Sequence, residues 1–561
     1  MIRLDNISLS ITVCGVLLLL VCCSPGVNAQ TPAPVTDAEA AQWREDLRYL
    51  AQEMPKTHKN LFHSMTREQF ETAVNQLNEK IPSLARHQII VGLMRIVAMA
   101  GDGDGHTSLD PQFNPKVRFR IYPLTLCLFA DGLFIKAADK KYAEFVGARV
   151  LKIGNTPAEQ AYKKVSEVVA HDNEMTFKQR VPFFLTIPEV LQSLGLISDM
   201  ENASFVVEKN GKEMTILLTP SGPVPQRGHD GMVREDPSRS WVQMNGESTA
   251  TVPLWLKKPD KKYWFQYLED SRTMYVQYSS VTNQPDESIA AFTARVFEFV
   301  NSHEIDRFIL DLRLNEGGNS AYNMPLLLEI IKSPKINQRG RLFTVIGRGT
   351  FSAAQNLVTE LERYTNTIFV GEPTGARVHF YGDHEIIGLP NSGVFVAVAS
   401  RWWQTMNPTD NRPWIAPNVV TPLRSVDYLN NIDPALNAIL NYRSNFALLE
   451  PGLAAGDLPQ VLKQYRDFKA SPKTSPINTA NEINTLGYRL IGAGKLDQAV
   501  EIFKLNVESY PDSANGYDSL GDAYLAMGNK ELAIKSFRRA LELNPGFDFT
   551  AQKLRQLTGG K

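Results

Sequence analysis

Apolar residues recur at three- and four-residue spacing from residue 37 onward, as Trp43, Leu47 and Leu50 illustrate. This spacing follows one face of an α-helix, so it predicts amphipathic helices. The pattern ends in a glycine-rich stretch at 101–107, because glycine is a poor helix former and favours turns. We therefore predict a helical N-terminal segment over 37–110 that ends in a loop.

The pattern changes to short strands between 117 and 220, where an Asn-Gly pair at 210–211 marks a hairpin turn. These strands predict a small, partly open β-barrel domain. Residues 221–262 are rich in proline, glycine and charge, which is typical of a surface connection. From 263 to 448 apolar strands alternate with helical stretches. This alternation predicts an α/β core with a mostly parallel sheet.

The C-terminal segment, 479–561, contains an internal repeat with a period of 34 residues. The matching pairs are Leu486 and Leu520, Gly487 and Gly521, Gly494 and Gly528, Ala499 and Ala533, Phe503 and Phe537, and Pro511 and Pro545. This register resembles tetratricopeptide repeats, in which small residues allow two helices to cross closely. It predicts two helix pairs and a capping helix at 549–557. A stretch rich in serine and proline at 471–476 is the predicted linker.

The bulk composition limits the classes of partner. The chain has 561 residues, of which 43% are hydrophobic and 21% are charged, and its formal net charge is −1. Proteins that bind nucleic acid or anionic membranes usually carry an excess of basic residues. We therefore expect a multidomain globular protein whose main partner is neither nucleic acid nor a membrane surface.

The first 29 residues have the pattern of an export signal. Arg3 precedes an apolar run at 11–23, and small residues lead to a cleavage point after Ala29. The run is shorter than the roughly 18 residues that span a bilayer. We therefore expect export to the periplasm or the cell exterior, with a lipid anchor on Cys22 as the alternative.

Ser352 is the first candidate for chemistry. It lies in a turn after an apolar strand at 342–346, and a helical pattern follows it. A serine in such a turn presents its hydroxyl at the sheet edge, beside the free N–H groups of the helix N-terminus. The alternative is that Ser352 only caps the helix, and this segment alone favours the cap.

A glycine pair, Gly317 and Gly318, follows another apolar strand at 308–312. Adjacent glycines leave backbone N–H groups unobstructed, as an oxyanion hole requires. An ordinary turn is the alternative. Asp311 and Arg313 precede the pair, and we interpret them as bracing the turn rather than acting on a substrate.

His106 lies in the glycine-rich loop of the N-terminal segment. A histidine can accept a proton from a serine hydroxyl and return it to the leaving group. Asp102 and Asp104 offer a calcium-binding turn as the alternative, but the loop lacks the bidentate glutamate of a hand-type site. No metal-ligand spacing of histidines or cysteines occurs in the mature chain. We therefore predict no metal and no cofactor.

Together these segments resemble the C-terminal processing, or tail-specific, serine peptidases and their tricorn-like relatives. The matching motifs are Asp104-Gly105-His106-Thr107, Asp311-Leu312-Arg313 with Asn315, Gly317 and Gly318, Ser352-Ala353-Ala354, and Gly371-Glu372-Pro373-Thr374-Gly375. The resemblance covers about 37–448. It implies that 117–220 is a PDZ-like domain, that 263–448 is the peptidase core, and that Ser352 is the nucleophile.

Two activation schemes occur in this family. In one, a lysine shortly after the Gly-Glu-Pro-Thr segment is the base, and the aligned residue here is Arg377. A guanidinium stays protonated at any working pH, so it cannot deprotonate a serine. The tricorn-like scheme uses a histidine, a serine and a carboxylate that orients the imidazole. His106 and Ser352 match this second scheme, with His106 as the general base.

The carboxylate is where the match weakens. The position expected for the family's glutamate falls near Asn411, so the third member is either displaced or missing. The candidates to replace it are Asp383, Glu385 and Asp410. We interpret Glu372 as stabilising its turn. His379 and His384 are interpreted as surface histidines, although either is an alternative base.

The first functional hypothesis is an exported serine peptidase that cleaves polypeptides through an acyl-enzyme. The oxyanion would be held by Ala353 and by Gly317 or Gly318. The barrel would dock or gate the polypeptide, and the repeats would bind a partner protein or an extended peptide. The alternative is an inactive peptidase-fold protein that binds partners through its repeats. A third hypothesis is an esterase for small acyl esters.

Overall fold

The computed structural model describes residues 33–226, 241–246, 251–442, 449–471 and 479–559. The predicted export signal, at residues 1–29, lies outside these residues. No helix within the described ranges is long and apolar enough to cross a membrane.

Three helices form the N-terminal segment. They are α1 (Asp37–Thr57), α2 (Arg67–Lys80) and α3 (Arg86–Ala98). Thr36 and Thr66 close capping boxes at the starts of α1 and α2, because each threonine accepts a hydrogen bond from the backbone three residues later. The apolar faces of these helices belong to one core with the sheet that follows in the chain.

A small antiparallel sheet follows. Its region contains β1 (Arg120–Ile121), β2 (Leu124–Phe129), β3 (Gly132–Asp139), β4 (Arg149–Ile153), β5 (Thr156–Pro157), β6 (Ala203–Lys209), β7 (Lys212–Leu218), β8 (Gly222–Pro223) and β9 (Trp241–Gln243). Strand order is β2-β3-β4-β6-β7, with β5 beside β4 and β9 beside β3, while β1 pairs with β8. The helices between β5 and β6 are α4 (Ala158–Ser166), α5 (Glu174–Phe184) and α6 (Pro188–Ser193). Strands β8 and β9 come from the predicted surface connection, so this segment also takes part in strand pairing.

The α/β core consists of a larger sheet, a separate hairpin and the helices that pack with them. Its strands are β10 (Tyr263–Leu268), β11 (Thr273–Tyr278), β12 (Arg307–Asp311), β13 (Leu342–Ile346) and β14 (Ile368–Gly371), then β15 (His379–Gly388), β16 (Phe395–Gln404) and β17 (Val419–Val420). Its helices are α7 (Ile289–Ser302), α8 (Met324–Lys332), α9 (Ala353–Tyr364), α10 (Ser425–Leu429) and α11 (Pro434–Leu440). The sheet order is β10-β11-β12-β13-β14-β17, and every neighbouring pair except β10–β11 is parallel. Strands β15 and β16 form a separate antiparallel hairpin.

The carboxyl ends of β12 and β13 bring two loops together, because Asp311 lies beside Val345 in the parallel register. Thr350 in the loop after β13 donates from Oγ1 to the carbonyl of Leu312, 2.9 Å away. The neighbouring Phe351 donates from its amide to the carbonyl of Asn315, 3.0 Å away. These bonds place the loop after β12 directly beside the turn that starts α9.

The C-terminal segment is helical. Its helices are α12 (Glu450–Ala455), α13 (Leu458–Ala470), α14 (Ala480–Gly492), α15 (Leu496–Ser509), α16 (Ala514–Ala526), α17 (Lys530–Leu543) and α18 (Asp548–Thr558). Gly487 lies against the ring of Phe503, and Gly521 lies in the same way against Phe537. Since a side chain at either glycine would collide with the ring, the 34-residue period places a helix crossing at each. The predicted α/β multidomain fold with helical C-terminal repeats is confirmed.

Candidate active site

Ser352 joins the turn after β13 to helix α9. Its backbone has φ 54° and ψ −123°, a strained conformation for a residue with a Cβ atom. Its side chain makes no capping hydrogen bond to the first turn of α9. Its Oγ lies instead 3.0 Å from Nε2 of His106. The geometry is therefore that of a hydroxyl presented to a histidine at a strand-to-helix turn and not that of a helix cap.

The loop of His106 is held by Asp172, which precedes α5, and by Arg180 within α5. The Gly103 amide donates to the carbonyl of Asp172 at 2.9 Å, and the Gly105 amide donates to Oδ1 of Asp172 at 2.6 Å. Arg180 donates to the carbonyl of Gly105 at 2.9 Å. The residue before His106 is therefore fixed through both its amide and its carbonyl, which sets where the imidazole projects.

The environment of His106 keeps the imidazole neutral. Burial lowers the pKa of His106 to about 4, and the positive charge of Arg180 acts in the same direction. The Asp104 carboxylate raises the pKa, but by less than burial lowers it. A neutral imidazole whose Nε2 faces a hydroxyl at 3.0 Å can accept its proton.

The second ring nitrogen, Nδ1, has no carboxylate partner. It is buried and bonds to no side chain of a described residue, while the backbone of Tyr381 raises the pKa of His106. None of the three candidate carboxylates is bonded to the His106 imidazole. Asp410 pairs with Arg412, Asp383 pairs with Arg401, and Glu385 is exposed. The third member of a hydrogen-bonded triad is absent from the described residues.

The oxyanion-hole candidates separate into two roles. The Gly317 amide donates to Oδ1 of Asn315 at 2.9 Å, so it is already occupied. The amides of Gly318 and Ala353 have no acceptor among the described residues. A Cβ on Gly317 would lie 2.7 Å from Cβ of Ser352 and 2.9 Å from the Ala353 amide. Gly317 therefore serves the site by lacking a side chain, and Gly318 and Ala353 are the two available donors.

The dyad opens into a cavity of about 760 Å³. Its apolar wall includes Phe113, Phe183, Ile386 and Phe395, and Ser352 lies in the same lining. Phe113 and Ile386 are about half exposed, at 46% and 54%. An apolar cavity of this size beside a nucleophile can hold several side chains of an extended peptide.

Other predicted residues take structural positions. Arg313 lies within 2.8 Å of Asp311 and makes a bidentate ion pair with Asp433 at 3.0 Å, so it braces the turn as we interpreted it. Arg348 pairs with Glu372 at 2.7 Å. Arg377 lies 3.8 Å from Asp102.

The two alternative bases differ in their burial. His379 is buried rather than on the surface, and its Nε2 faces the carbonyl of Asn407 at 3.0 Å. His384 is exposed at the cavity rim. The structure records no hydrogen bond from either imidazole to the serine hydroxyl.

Sequence reasoning missed three residues of the site, namely Asp172, Arg180 and Phe380. They come from α5 and its preceding turn and from the β15–β16 hairpin, and only tertiary packing brings them to His106. Asn315 is different, because it belongs to the motif around Asp311 and follows the buried strand directly. Its position beside the glycine pair could therefore have been predicted from the sequence.

Comparisons with known proteins bear on two parts of the chain. A family model described as tetratricopeptide repeat matches residues 519–547, so the predicted repeats are confirmed there. The mouse (Mus musculus) Superkiller complex protein 3 is 39% identical over 62 residues, which are 11% of this chain and 4% of that protein.

The chain is also similar to solved structures. Mature CPAF complexed with lactacystin is 12% identical with a TM-score of 0.48, over 72% of this chain and 99% of that one. The photosystem II D1 C-terminal processing protease is 13% identical with a TM-score of 0.33, over 72% of this chain and 97% of that one.

Proposed function

We propose that this chain is an exported serine peptidase in which Ser352 is the nucleophile and His106 is the general base. The observation that carries the proposal is the 3.0 Å contact between the Ser352 hydroxyl and Nε2 of a neutral His106. The strained backbone of Ser352 and the two free amides beside it support the same assignment.

The proposed reaction begins with proton transfer from Ser352 Oγ to His106 Nε2 as Oγ attacks a peptide carbonyl carbon. The oxygen of the tetrahedral intermediate accepts hydrogen bonds from the amides of Gly318 and Ala353, and the N-terminus of α9 adds its positive dipole. His106 then gives its proton to the leaving amine, and the C–N bond breaks. A water molecule, deprotonated by His106, hydrolyses the acyl-enzyme and restores the serine.

A polypeptide is the proposed substrate. The cavity beside Ser352 has an apolar wall, and β2 is an edge strand of the small sheet. An extended chain can add to such an edge. We also propose that the repeats bind a partner protein, which is the common use of the concave surface of helical repeats.

Labelling with a fluorophosphonate tests the chemistry, because this probe reacts only with an activated serine. We expect the wild type to be labelled at Ser352 and the Ser352→Ala variant to remain unlabelled. The His106→Gln variant should lose on the order of 10⁴-fold in labelling rate. A folded wild-type protein whose Ser352 does not react would contradict the proposal.

One observation favours a second candidate function. Since Nδ1 of His106 has no carboxylate partner within the described part of the chain, the chain would be an inactive peptidase fold if an imidazole without such a partner cannot activate Ser352. In that case binding through the repeats is the function. Comparing peptide and small-ester substrates on wild type and Ser352→Ala also separates a peptidase from an esterase.

A further inference from the structure

We propose that the rings of Phe351 and Phe380 position the His106 imidazole, in the role that a hydrogen-bonded carboxylate has in a full triad. These two residues form the ring pair. The proposal rests on the proposed function, since a base needs a fixed orientation only if it acts on Ser352. It assigns a role to side chains outside the dyad and the oxyanion donors.

The geometry of the ring pair is that of aromatic packing. The Phe351 ring lies 4.7 Å from the imidazole with an interplanar angle of 23°, and the Phe380 ring lies 5.7 Å away with an angle of 10°. Nearly parallel rings at these separations attract each other and restrict rotation about χ2. No carboxylate of a described residue bonds to Nδ1, so aromatic packing is the side-chain contact that sets the plane of the imidazole.

The ring pair is itself held firmly. Phe351 is 7% exposed and Phe380 is 1% exposed. The amide of Phe351 is tied to Asn315, and the next residue after Phe380, Tyr381, donates its amide to the carbonyl of Gly103 at 2.8 Å. Strand β15 is therefore bonded to the same loop that carries the base. A rigid support of this kind is needed for any group that orients a catalytic residue.

Arg180 extends the packing on Phe351. Its guanidinium carbon lies 4.9 Å from the centre of the Phe351 ring, which is a cation–π distance. The same side chain donates to the carbonyl of Gly105. Arg180 therefore fixes the residue before the base and the residue before the nucleophile at once.

The charges around His106 set the direction of the expected pH effect. Arg180 on α5 and His384 on β15 lower the pKa of His106, whereas Asp104 on its own loop and the backbone of Tyr381 raise it. Burial is the largest influence and lowers the pKa. Removing a ring that shields the imidazole lets water reach it, so the pKa should rise toward its ordinary value.

The test is Phe380→Leu, which keeps most of the side-chain volume but removes the flat ring. We expect the rate constant for fluorophosphonate labelling of Ser352 at pH 8 to fall about tenfold, because the base loses its fixed orientation. We also expect the pKa of His106, measured by NMR on histidine-labelled protein, to rise. The signal is assigned by its loss in His106→Gln.

The matched control is Phe343→Leu, because Phe343 is also fully buried in the α/β core but packs against Tyr442. It should leave the labelling rate and the pKa of His106 unchanged. A folded Phe380→Leu protein with an unchanged rate and an unchanged pKa overturns the inference. If the wild type is not labelled at Ser352, the proposed function is wrong. The NMR titration of His106 then still tests whether the ring pair positions the imidazole.

Discussion

His106 and Ser352 are 246 positions apart in the chain, and the backbone around Ser352 has a conformation that few residues can adopt. Ser352 has a positive φ. Gly317 has φ 110° and lies so close to Ser352 that a Cβ would meet it. At the scale of single residues, the site therefore depends on conformations that exclude ordinary side chains, and its chemistry depends on a base kept neutral by burial.

The pH dependence follows from the pKa of His106. The base acts only when it is unprotonated, and burial lowers its pKa to about 4. We therefore expect the labelling rate of Ser352 to stay near its plateau from pH 8 down to about pH 5 and to fall with a midpoint near pH 4. The rate of fluorophosphonate labelling is measured across this pH range, and circular dichroism checks that the protein stays folded. A midpoint near 6.5 would show an imidazole open to water.

Gly317→Ala should disable the dyad without removing any catalytic group. The added Cβ would lie 2.7 Å from Cβ of Ser352, so one of the two must move. We expect a loss of roughly 100-fold in labelling rate, since displacements near 1 Å at a reacting centre have that effect. The control is Gly388→Ala, because nothing lies within 4 Å of a Cβ there. Equal rates for both variants would be incompatible with the described turn.

At the scale of elements, the site is assembled from three pieces of the fold. The parallel sheet supplies Ser352 and the glycine pair, the N-terminal segment supplies His106, and α5 with its preceding turn joins them. Asn173 in that turn donates to the carbonyls of Thr374 and Pro413. The turn before α5 is therefore bonded both to the loop of the base and to the loop after β14.

Asp172 in this turn makes stability depend on pH. Burial raises the pKa of Asp172 to about 7, although the Gly105 amide bond opposes the rise. The folded protein then holds a proton that the unfolded chain loses near pH 4, so Asp172 stabilises the fold at low pH. That contribution decreases as pH rises from about 4 to about 7, by at most about 1.4 kcal/mol per pH unit.

Asp172→Asn tests this directly, because asparagine can still accept from the Gly105 amide but cannot titrate. The difference in Tm between wild type and variant should therefore shift in favour of the variant as pH is raised from 5 to 8. His106 contributes equally to the pH dependence of Tm in both proteins, so its contribution cancels in the difference. A pH-independent difference in Tm would mean that Asp172 is charged throughout.

Much of the site could be predicted from the sequence because its parts lie in short local motifs. Ser352 and the glycine pair each follow a buried strand, and the carboxyl ends of adjacent parallel strands meet at one edge. The hairpin β15–β16 and helix α5 approach His106 only through tertiary packing, so Phe380 and Arg180 carry no local signal. The missing carboxylate was expected near Asn411, but the chain there forms a loop tied by Arg412 to Glu362.

At the scale of the whole molecule, the described residues form separate apolar cores. One joins the N-terminal helices to the small sheet and part of the β15–β16 hairpin. Two more cover the faces of the larger sheet. The core of the repeats shares no residue with these. Because a domain with its own core can unfold on its own, loss of the repeats should leave the dyad intact.

Gly521→Ala tests this independence. Its Cβ would lie 2.5 Å from the Phe537 ring, and such overpacking typically costs about 1–3 kcal/mol. We expect the calorimetric transition of the repeats to move to lower temperature, while the labelling rate of Ser352 stays unchanged. The control, Gly492→Ala, places a methyl group in open space on α14 and should be neutral or slightly stabilising. A parallel loss of labelling in Gly521→Ala would show that the two parts are coupled.

The repeats also lie at a particular edge of the larger sheet. Glu482 on α14 is 3.7 Å from Arg339, just before β13 begins, whereas Ser352 follows the end of the same strand. An extended chain advances about 3.3 Å per residue. If the repeats bind the substrate as proposed, the polypeptide between its anchored segment and its scissile bond would have to span at least the five residues of β13. The molecule would measure its substrates by tether length, and a ligand with a shorter spacer would be held without being cut.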